Sequence, residues 1–301
     1  MIQVPSRSAL RKLAGSLAPD STLREAAKVL TSLQAMEIDA HVPAAVCRGD
    51  EGALHDVRVA SRRLRAGVSL FRELYPLRWT VVEDRAREVT RGLRAARDLD
   101  VRILALRRMR AGGELSPDCR VLARTLLFSA VRERKTMLGR GWTVPFLGKR
   151  MAEFLPELWR PRIASMPALE KTLTGRLRES AREALFLIPS SAVERHAGVQ
   201  HRLRIKCKSL RYSLEMLEWR MGKEATWRIA VLRKAQDVLG DIHDTDVFLE
   251  FISSLERLPP AARKKPCREL TASLREERKR HFAAFLGLRA ELERAATLHN
   301  F

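Results

Sequence analysis

The chain carries one basic motif twice, at a fixed spacing. Residues 55–71 read HDVRVASRRLRAGVSLF, and residues 201–217, which lie 146 positions later, read HRLRIKCKSLRYSLEML. A second block repeats at the same offset, with LRAARDLDVRI over 93–103 and LGDIHDTDVFL over 239–249. Two blocks that keep one offset without a net insertion indicate an internal duplication. The chain is therefore expected to fold as two copies of one unit.

Each motif has the periodicity of a helix with two different faces. At about 100° per residue, the basic residues of the first copy fall within an arc of about 80°. They are His55, Arg58, Arg62 and Arg65. The apolar residues on the opposite side are Val57, Ala60, Leu64, Val68 and Phe71. The second copy repeats both faces, with His201, Arg204, Lys208 and Arg211 opposite Leu203, Leu210, Leu214 and Leu217.

We call these two sets of four basic residues the first and the second basic row. Charged residues on a helix usually form a solvated face, in which opposite charges pair one turn apart. Neither row contains a carboxylate, so its like charges repel one another in the free protein. Neither row has a further histidine or glutamate one turn from its histidine, so a zinc site there is not expected. The rows predict anion binding.

The overall charge agrees with an anionic partner. The 301 residues include 57 Lys and Arg against 36 Asp and Glu, which gives a net charge of +21 and a pI near 10.9. Such a surplus favours nucleic acid, an anionic membrane or polyphosphate as a partner. With 46% hydrophobic residues, the chain is able to bury a sizeable core. A generally basic composition would explain the surplus of positive charge. It would not explain why basic residues recur at equivalent positions in both copies of the motif.

The cysteines and the N-terminus indicate a cytoplasmic protein. The cysteines form no CxxC pair, which argues against a zinc ribbon and fits a reducing compartment. They are Cys47, Cys119, Cys207 and Cys267. The first 20 residues lack the apolar core of a signal peptide, and no stretch approaches the ~20 apolar residues of a membrane span.

Helical periodicity dominates, so the expected fold is all-α, with two pseudo-symmetric four-helix bundles. The predicted helices lie near 20–40, 53–74, 78–110 (with a break near 97), 118–138, 167–187, 198–220, 224–257 and 266–296. A short helix is also expected over MAEFLPELW. The predicted organisation is an N-terminal extension over 1–19, a first half over 20–140, a connector over 141–166 and a second half over 167–301.

Further side chains are expected to form a second basic wall, opposite the two basic rows, so that the two walls enclose a groove. At the 146-residue offset, Arg132 matches Arg278 and Arg134 matches Arg280. The complete set is Arg63, Arg132, Arg134, Lys206, Tyr212, Arg275, Arg278 and Arg280. Arg63 is the less secure member because the second copy has Ser209 at its position.

Each copy of the second block also contains two aspartates. They are Asp98 and Asp100 in RDLDV, and Asp244 and Asp246 in HDTDV. Such aspartates either cap the start of a helix or pair with the motif arginines. In the second half, Asp241 and His243 extend the cluster, so a metal site is a further alternative. The first half does not repeat those two residues.

Taken together, these residues resemble the CHAD domain family. The pattern H-x-x-R-x-x-x-R/K-x-x-R occurs twice, and RDLDV and HDTDV each begin 42 residues after the histidine of their copy. The resemblance runs from about residue 20 to the end. It implies two four-helix bundles around a basic central groove or channel, binding of long-chain inorganic polyphosphate, and association with polyphosphate granules. By position, it assigns ligand contacts to the two basic rows.

The leading hypothesis is a non-catalytic polyphosphate-binding module that needs no cofactor. The alternative is a nucleic-acid-binding protein that uses the same basic surface. Against it, the sequence has no RNP-type aromatic motif and no zinc finger, and only 6% aromatic residues. A third class is an enzyme of phosphate chemistry, but the sequence shows neither a P-loop nor a recognisable nucleophile motif.

Overall fold

The computed structural model describes residues 3–75, 79–111, 115–139, 150–160, 166–256 and 264–298. Within these ranges the chain forms twelve α-helices and two short 3₁₀ helices, and no strand. This confirms the predicted all-α fold. None of the described helices combines the length and the apolar composition that crossing a lipid bilayer requires.

The helices follow the predicted order. The first half contains α1 (Arg7–Gly15), α2 (Leu23–Cys47), α3 (Glu51–Leu70), a 3₁₀ turn (Arg72–Leu74), α4 (Trp79–Gly92), α5 (Arg94–Ala111) and α6 (Pro117–Gly139). The connector contributes a 3₁₀ helix (Met151–Phe154) and α7 (Leu155–Trp159). The second half contains α8 (Met166–Ser191), α9 (Ala197–Glu215), α10 (Glu218–Met221), α11 (Lys223–Glu256) and α12 (Lys264–Ala296).

The helices differ from the predicted ones at two places, and part of the predicted connector is not described. The break expected near 97 lies at Leu93, between α4 and α5, whereas α11 is continuous at the equivalent place. The N-terminal extension contains α1, which the sequence did not predict. Residues 141–149 and 161–165 of the predicted connector lie outside the described residues.

Side-chain caps and one glycine fix how the first motif helix begins. Asp50 accepts a hydrogen bond from the backbone N–H of Ala53 at 2.7 Å, which satisfies one of the free donors at the start of α3. Just before it, Gly49 has φ 61°, a left-handed conformation that favours glycine. This tight turn places α3 directly against α2.

The main core crosses from one half to the other. It draws buried residues from α2, α3, α8, α9 and α11 into one cluster. The apolar faces predicted for the two motif helices are part of it, because every one of their residues is buried. A second cluster joins α5 and α6 to the C-terminal part of α11 and to α12. The two halves thus share their cores, and the predicted domain boundaries stay predictions.

Candidate anion-binding site

The two basic rows meet where α3 packs against α9. The charge of Arg62 on α3 lowers the pKa of both Arg204 and Lys208 on α9. The charge of Arg58 also lowers the pKa of Lys208. We call these four side chains the central cations. The charges of the first row therefore act on two cations of the second row.

The internal repeat relates each central cation of α3 to one central cation of α9. Adding the offset of 146 residues converts Arg58 into Arg204, and Arg62 into Lys208. The interaction of Arg58 with Lys208 therefore has the interaction of Arg204 with Arg62 as its counterpart. Positions that the repeat relates therefore act on one another where α3 packs against α9.

Burial and mutual repulsion both act against the charge of these groups. Burial first, and then the charges of Arg62 and Arg97, lower the pKa of Arg58 to about 10. Burial and the charges of Arg204, Arg62 and Arg58 lower the pKa of Lys208 to about 6. Burial also lowers the pKa of Arg204, although the Asp244 carboxylate opposes the shift. The site holds more positive charge than its own carboxylates compensate.

The central cations have no carboxylate partner at ion-pair distance within the described part of the chain. The ion pairs that the two motif helices do form from basic side chains belong to Arg63, Arg65, Lys206 and Arg211. The Nε of Arg204 is buried and has no hydrogen-bond partner among the described residues. A buried donor without a partner raises the free energy of the unliganded site.

The two histidines at the heads of the rows differ in their surroundings. His55 is exposed. The Nδ1 atom of His201 lies 3.1 Å from the Nδ1 atom of His243, so one ring donates and the other accepts. Burial, followed by the charges of Arg204, Lys208 and Arg94, lowers the pKa of His201. Burial and the charge of His201 lower the pKa of His243 to about 4.

Helix α5 adds two cations that the sequence reasoning missed. The charge of Arg97 acts on Arg58 and on Arg204, and the charge of Arg94 acts on His201. A signal for Arg97 was present in the sequence, because it begins RDLDV and occupies the position of His243 in the repeat.

The far ends of the basic rows are partly neutralised. Arg65 lies 3.8 Å from the Glu83 carboxylate of α4, and burial lowers its pKa. Arg211 is buried, donates to the side-chain oxygen of Gln236 at 3.0 Å and pairs with Glu215. Protein groups therefore engage Arg211, whereas the Nε atom of Arg65, like that of Arg204, has no hydrogen-bond partner among the described residues.

Arg63 and Tyr212 of the secondary set are also engaged at this end of the site. Arg63 donates to the Glu215 carboxylate at 2.8 Å, which ties α3 of the first half to α9 of the second. Tyr212 is buried and lies beneath Arg211, whose guanidinium is 4.3 Å from the ring centre. These contacts stabilise the crossing of the two motif helices.

Two arginines of the secondary set hold the aspartates of the repeated block. Arg134 donates to Asp100 at 2.5 Å, and Arg278 donates to Asp246 at 2.5 Å. The chain runs 34 residues from Asp100 to Arg134, but 32 residues from Asp246 to Arg278. The predicted matches of Arg132 with Arg278 and of Arg134 with Arg280 are therefore wrong by two residues. The structural equivalent of Arg134 is Arg278.

The predicted capping role of these aspartates is also wrong. Asp98 and Asp100 lie inside α5, and Asp244 and Asp246 lie in the middle of α11. Pairing is the alternative that applies, but the partners of Asp100 and Asp246 come from α6 and α12 rather than from the motif helices.

The remaining members of the secondary set are placed at the surface. Lys206 donates to the Glu183 carboxylate of α8 at 2.6 Å. The other three are exposed on α6 and α12, and they are Arg132, Arg275 and Arg280. For these four side chains, a place in a second wall beside the central cations stays a prediction.

The structure gives no support to the metal alternative. In the described ranges, no three His, Cys, Asp or Glu side chains come together in an arrangement that could hold a metal ion. Within the predicted cluster, Asp246 is held by Arg278 and His243 by His201.

Comparison with known proteins agrees with the fold and the motif. The family model described as "CHAD domain" matches residues 29–253. The crystal structure of the CHAD domain from the plant Ricinus communis is similar, with a TM-score of 0.64 and 20% identity over 95% of this chain and 94% of that one. PptA from Streptomyces chartreusis is also similar, with a TM-score of 0.64 and 18% identity over 89% of this chain and 99% of that one.

A search of curated protein sequences gave no match. At identities of 20% and 18%, the two structures establish a shared fold. The family model, by contrast, spans well over half of the chain and includes both basic rows. The chain belongs to the CHAD domain family.

Proposed function

We propose that this protein binds inorganic polyphosphate, without catalysis, between its two basic rows. One observation carries the proposal: Arg58, Arg62, Arg204 and Lys208 converge from both halves and have no carboxylate partner among the described residues. Keeping these charges together raises the free energy of the unliganded protein. A polyanion that lies along α3 and α9 would relieve that repulsion.

The chemistry of the site favours an anion without bases. Single-stranded nucleic acids are usually held by stacking of their bases on aromatic side chains. The aromatic residue that follows the central cations on α9 is Tyr212, which is buried beneath Arg211. Polyphosphate needs only positive charge and hydrogen-bond donors, both of which the central cations supply. A long polymer held in this way would also bring the protein to polyphosphate granules.

A competition experiment tests the choice of ligand. Labelled long-chain polyphosphate is displaced by unlabelled polyphosphate, single-stranded DNA or RNA at equal phosphate concentration and physiological salt. We expect polyphosphate to compete more strongly than either nucleic acid. Equal or stronger competition by DNA or RNA would favour a nucleic-acid-binding protein and overturn the proposal.

Replacement of the four central cations by Ala tests the location of the site. Loss of about four phosphate contacts should weaken binding and flatten the slope of log K against log salt by roughly 3. The melting temperature should not fall, because mutual repulsion is relieved. The matched control replaces four exposed arginines that belong neither to the basic rows nor to the secondary set, namely Arg120, Arg124, Arg178 and Arg182. If the salt dependence of binding fell as much in the control variant as in the variant without the central cations, the phosphate contacts would lie elsewhere.

A further inference from the structure

A cavity of about 330 Å³ lies beside the crossing of the two motif helices, and none of the central cations lines it. Residues of α2, α3, α10 and α11 and the end of α9 form its walls. Its apolar lining includes Leu30, Met216 and Ile229, of which the last two are buried. The volume falls at the lower end of the range for small-molecule sites, so the cavity is suited to a small ligand with an apolar part.

Gln34 is a buried polar residue of the cavity wall that lacks a partner. It is 8% exposed, and its side chain makes no hydrogen bond to any group in the described part of the chain. Gln200, which is also buried, instead donates to the backbone oxygen of Val193 at 3.1 Å and accepts from Arg278 at 3.0 Å. A buried amide without a partner raises the free energy of the empty cavity, and a ligand that hydrogen-bonds to it would lower that free energy.

The charged groups at the cavity leave one positive charge in excess. Arg63 uses its Nε atom to donate to Glu215 at 2.8 Å and makes no other hydrogen bond within the described ranges. The Glu215 carboxylate also pairs with Arg211 from outside the cavity. The remaining charged groups of the lining are Glu218 and the exposed Arg233, neither of which forms an ion pair with a described residue. Three arginines against two glutamates sum to +1, which one negative charge on a ligand would balance.

We propose that this cavity binds a small organic monocarboxylate with an apolar body. The guanidinium groups of Arg63 and Arg233 supply unused N–H donors, and the planar fork of a guanidinium matches the geometry of a carboxylate. The amide of Gln34 supplies a further donor and an acceptor, and Met216 and Ile229 pack against the apolar body. A phosphate monoester is less suitable, because its charge of about −1.5 to −2 exceeds the single positive charge in excess.

The test uses benzoate as the probe and the full chain without polyphosphate. The methionine methyl groups are isotope-labelled for NMR, and the signal of Met216 is identified by its loss in Met216→Leu. We expect benzoate to shift this signal with a Kd of about 1 mM, a usual value for a ligand of so few atoms. Benzamide lacks the charge and acetate lacks the ring, so each should bind about tenfold more weakly than benzoate.

Two substitutions in the wall and one beside it locate the binding site. Arg233→Met should weaken benzoate binding about tenfold, and Gln34→Leu, which removes the amide at similar size, about threefold. Lys234→Met is the matched control, because it removes the same charge from an exposed neighbour that does not line the cavity. It separates a local contact from the general attraction of an anion to a chain of net charge +21.

Three results would overturn the proposal. They are a Met216 signal that benzoate does not shift, equal affinities for benzoate and benzamide, and a loss in Lys234→Met as large as that in Arg233→Met. The comparison of benzoate with benzamide uses the wild type, so it decides the question even if Gln34→Leu does not fold. The assay contains no polyphosphate and leaves the central cations unchanged, so its outcome is independent of the proposed function.

Discussion

Arg62 and Lys208 occupy equivalent positions in the repeat, but one carries a guanidinium group and the other an amine. An arginine keeps its proton throughout the physiological range. Lys208 has its pKa lowered to about 6 by burial and by the cations around it. At neutral pH the unliganded site therefore holds less charge than the sequence suggests, and a bound polyanion would restore it.

Binding of polyphosphate should therefore weaken as pH rises above about 6. The ligand favours protonated Lys208 and raises its pKa, so the complex takes up a proton at pH values above the free pKa of about 6. Affinity should fall by up to tenfold per pH unit across that interval. Lys208→Arg should remove most of this dependence, because the guanidinium stays charged. Calorimetric titrations between pH 6 and pH 8 measure the effect, and Lys206→Arg serves as the control. An identical pH profile in Lys208→Arg would show that Lys208 is not the group that titrates.

The same group should make folding stability depend on pH. The pKa of Lys208 falls from 10.5 to about 6 on folding, so the unfolded chain binds more protons between these values. The contribution of Lys208 to stability thus rises with pH across this window, and it is most unfavourable below about pH 6. Lys208→Met should stabilise the protein by roughly 1–4 kcal/mol near pH 6, as buried charges replaced by apolar groups often do. The gain should shrink as pH rises. Denaturant unfolding at several pH values measures it, and a destabilised Lys208→Met variant would contradict the account.

At the level of helices, an arginine from the last helix of each half forms an ion pair with an aspartate of the repeated block. Asp100 of α5 is paired with Arg134 of α6, and Asp246 of α11 is paired with Arg278 of α12. Arg278 also donates to the side-chain oxygen of Gln200 at 3.0 Å, beside the head of the second basic row. These pairs fix the orientation of the helices that flank the site.

Arg278→Ala should destabilise the protein by about 3 kcal/mol, the lower end of the range for a broken buried pair, because Asp246 is 25% exposed. Arg280→Ala should change the free energy of unfolding by less than about 0.5 kcal/mol, as is usual for an exposed side chain. Denaturant unfolding compares the two variants directly. A larger loss of stability from Arg280→Ala than from Arg278→Ala would contradict this assignment. It would support Arg280 as the equivalent of Arg134, as the 146-residue offset predicted.

The motif helices were predictable because their information is local. Periodicity alone placed Leu64 and Leu210 in the core and the basic rows on the opposite side. The register of the last helix was not predictable, because the chain leading to it is two residues shorter in the second half. The pairing of Arg211 with Glu215 was visible as an i,i+4 spacing. The contact of Arg65 with Glu83 depends on how α3 and α4 pack, which the short motifs do not encode.

At the scale of the whole molecule, the central site depends on both halves. Arg58 and Arg62 come from the first half, Arg204 and Lys208 come from the second, and the main core continues beneath them. The duplication predicted two equivalent rows. It did not predict that their centres would lie within reach of each other's charge, because that distance is set by the packing of α3 on α9.

The central claim, that both rows grip one continuous anion, is tested most directly by affinity measured against polyphosphate of defined lengths. The titration compares the wild type with two double variants, each of which removes two cations from one row. The first variant combines Arg58→Ala with Arg62→Ala, and the second combines Arg204→Ala with Lys208→Ala. Contacts of the second row add as intramolecular events. Wild-type affinity should therefore rise steeply with length and level off once both rows are spanned, and either variant should lose most of that rise. Affinity per phosphate that is flat from the shortest chain upward, in the wild type and in both variants, would contradict the account and show two independent sites.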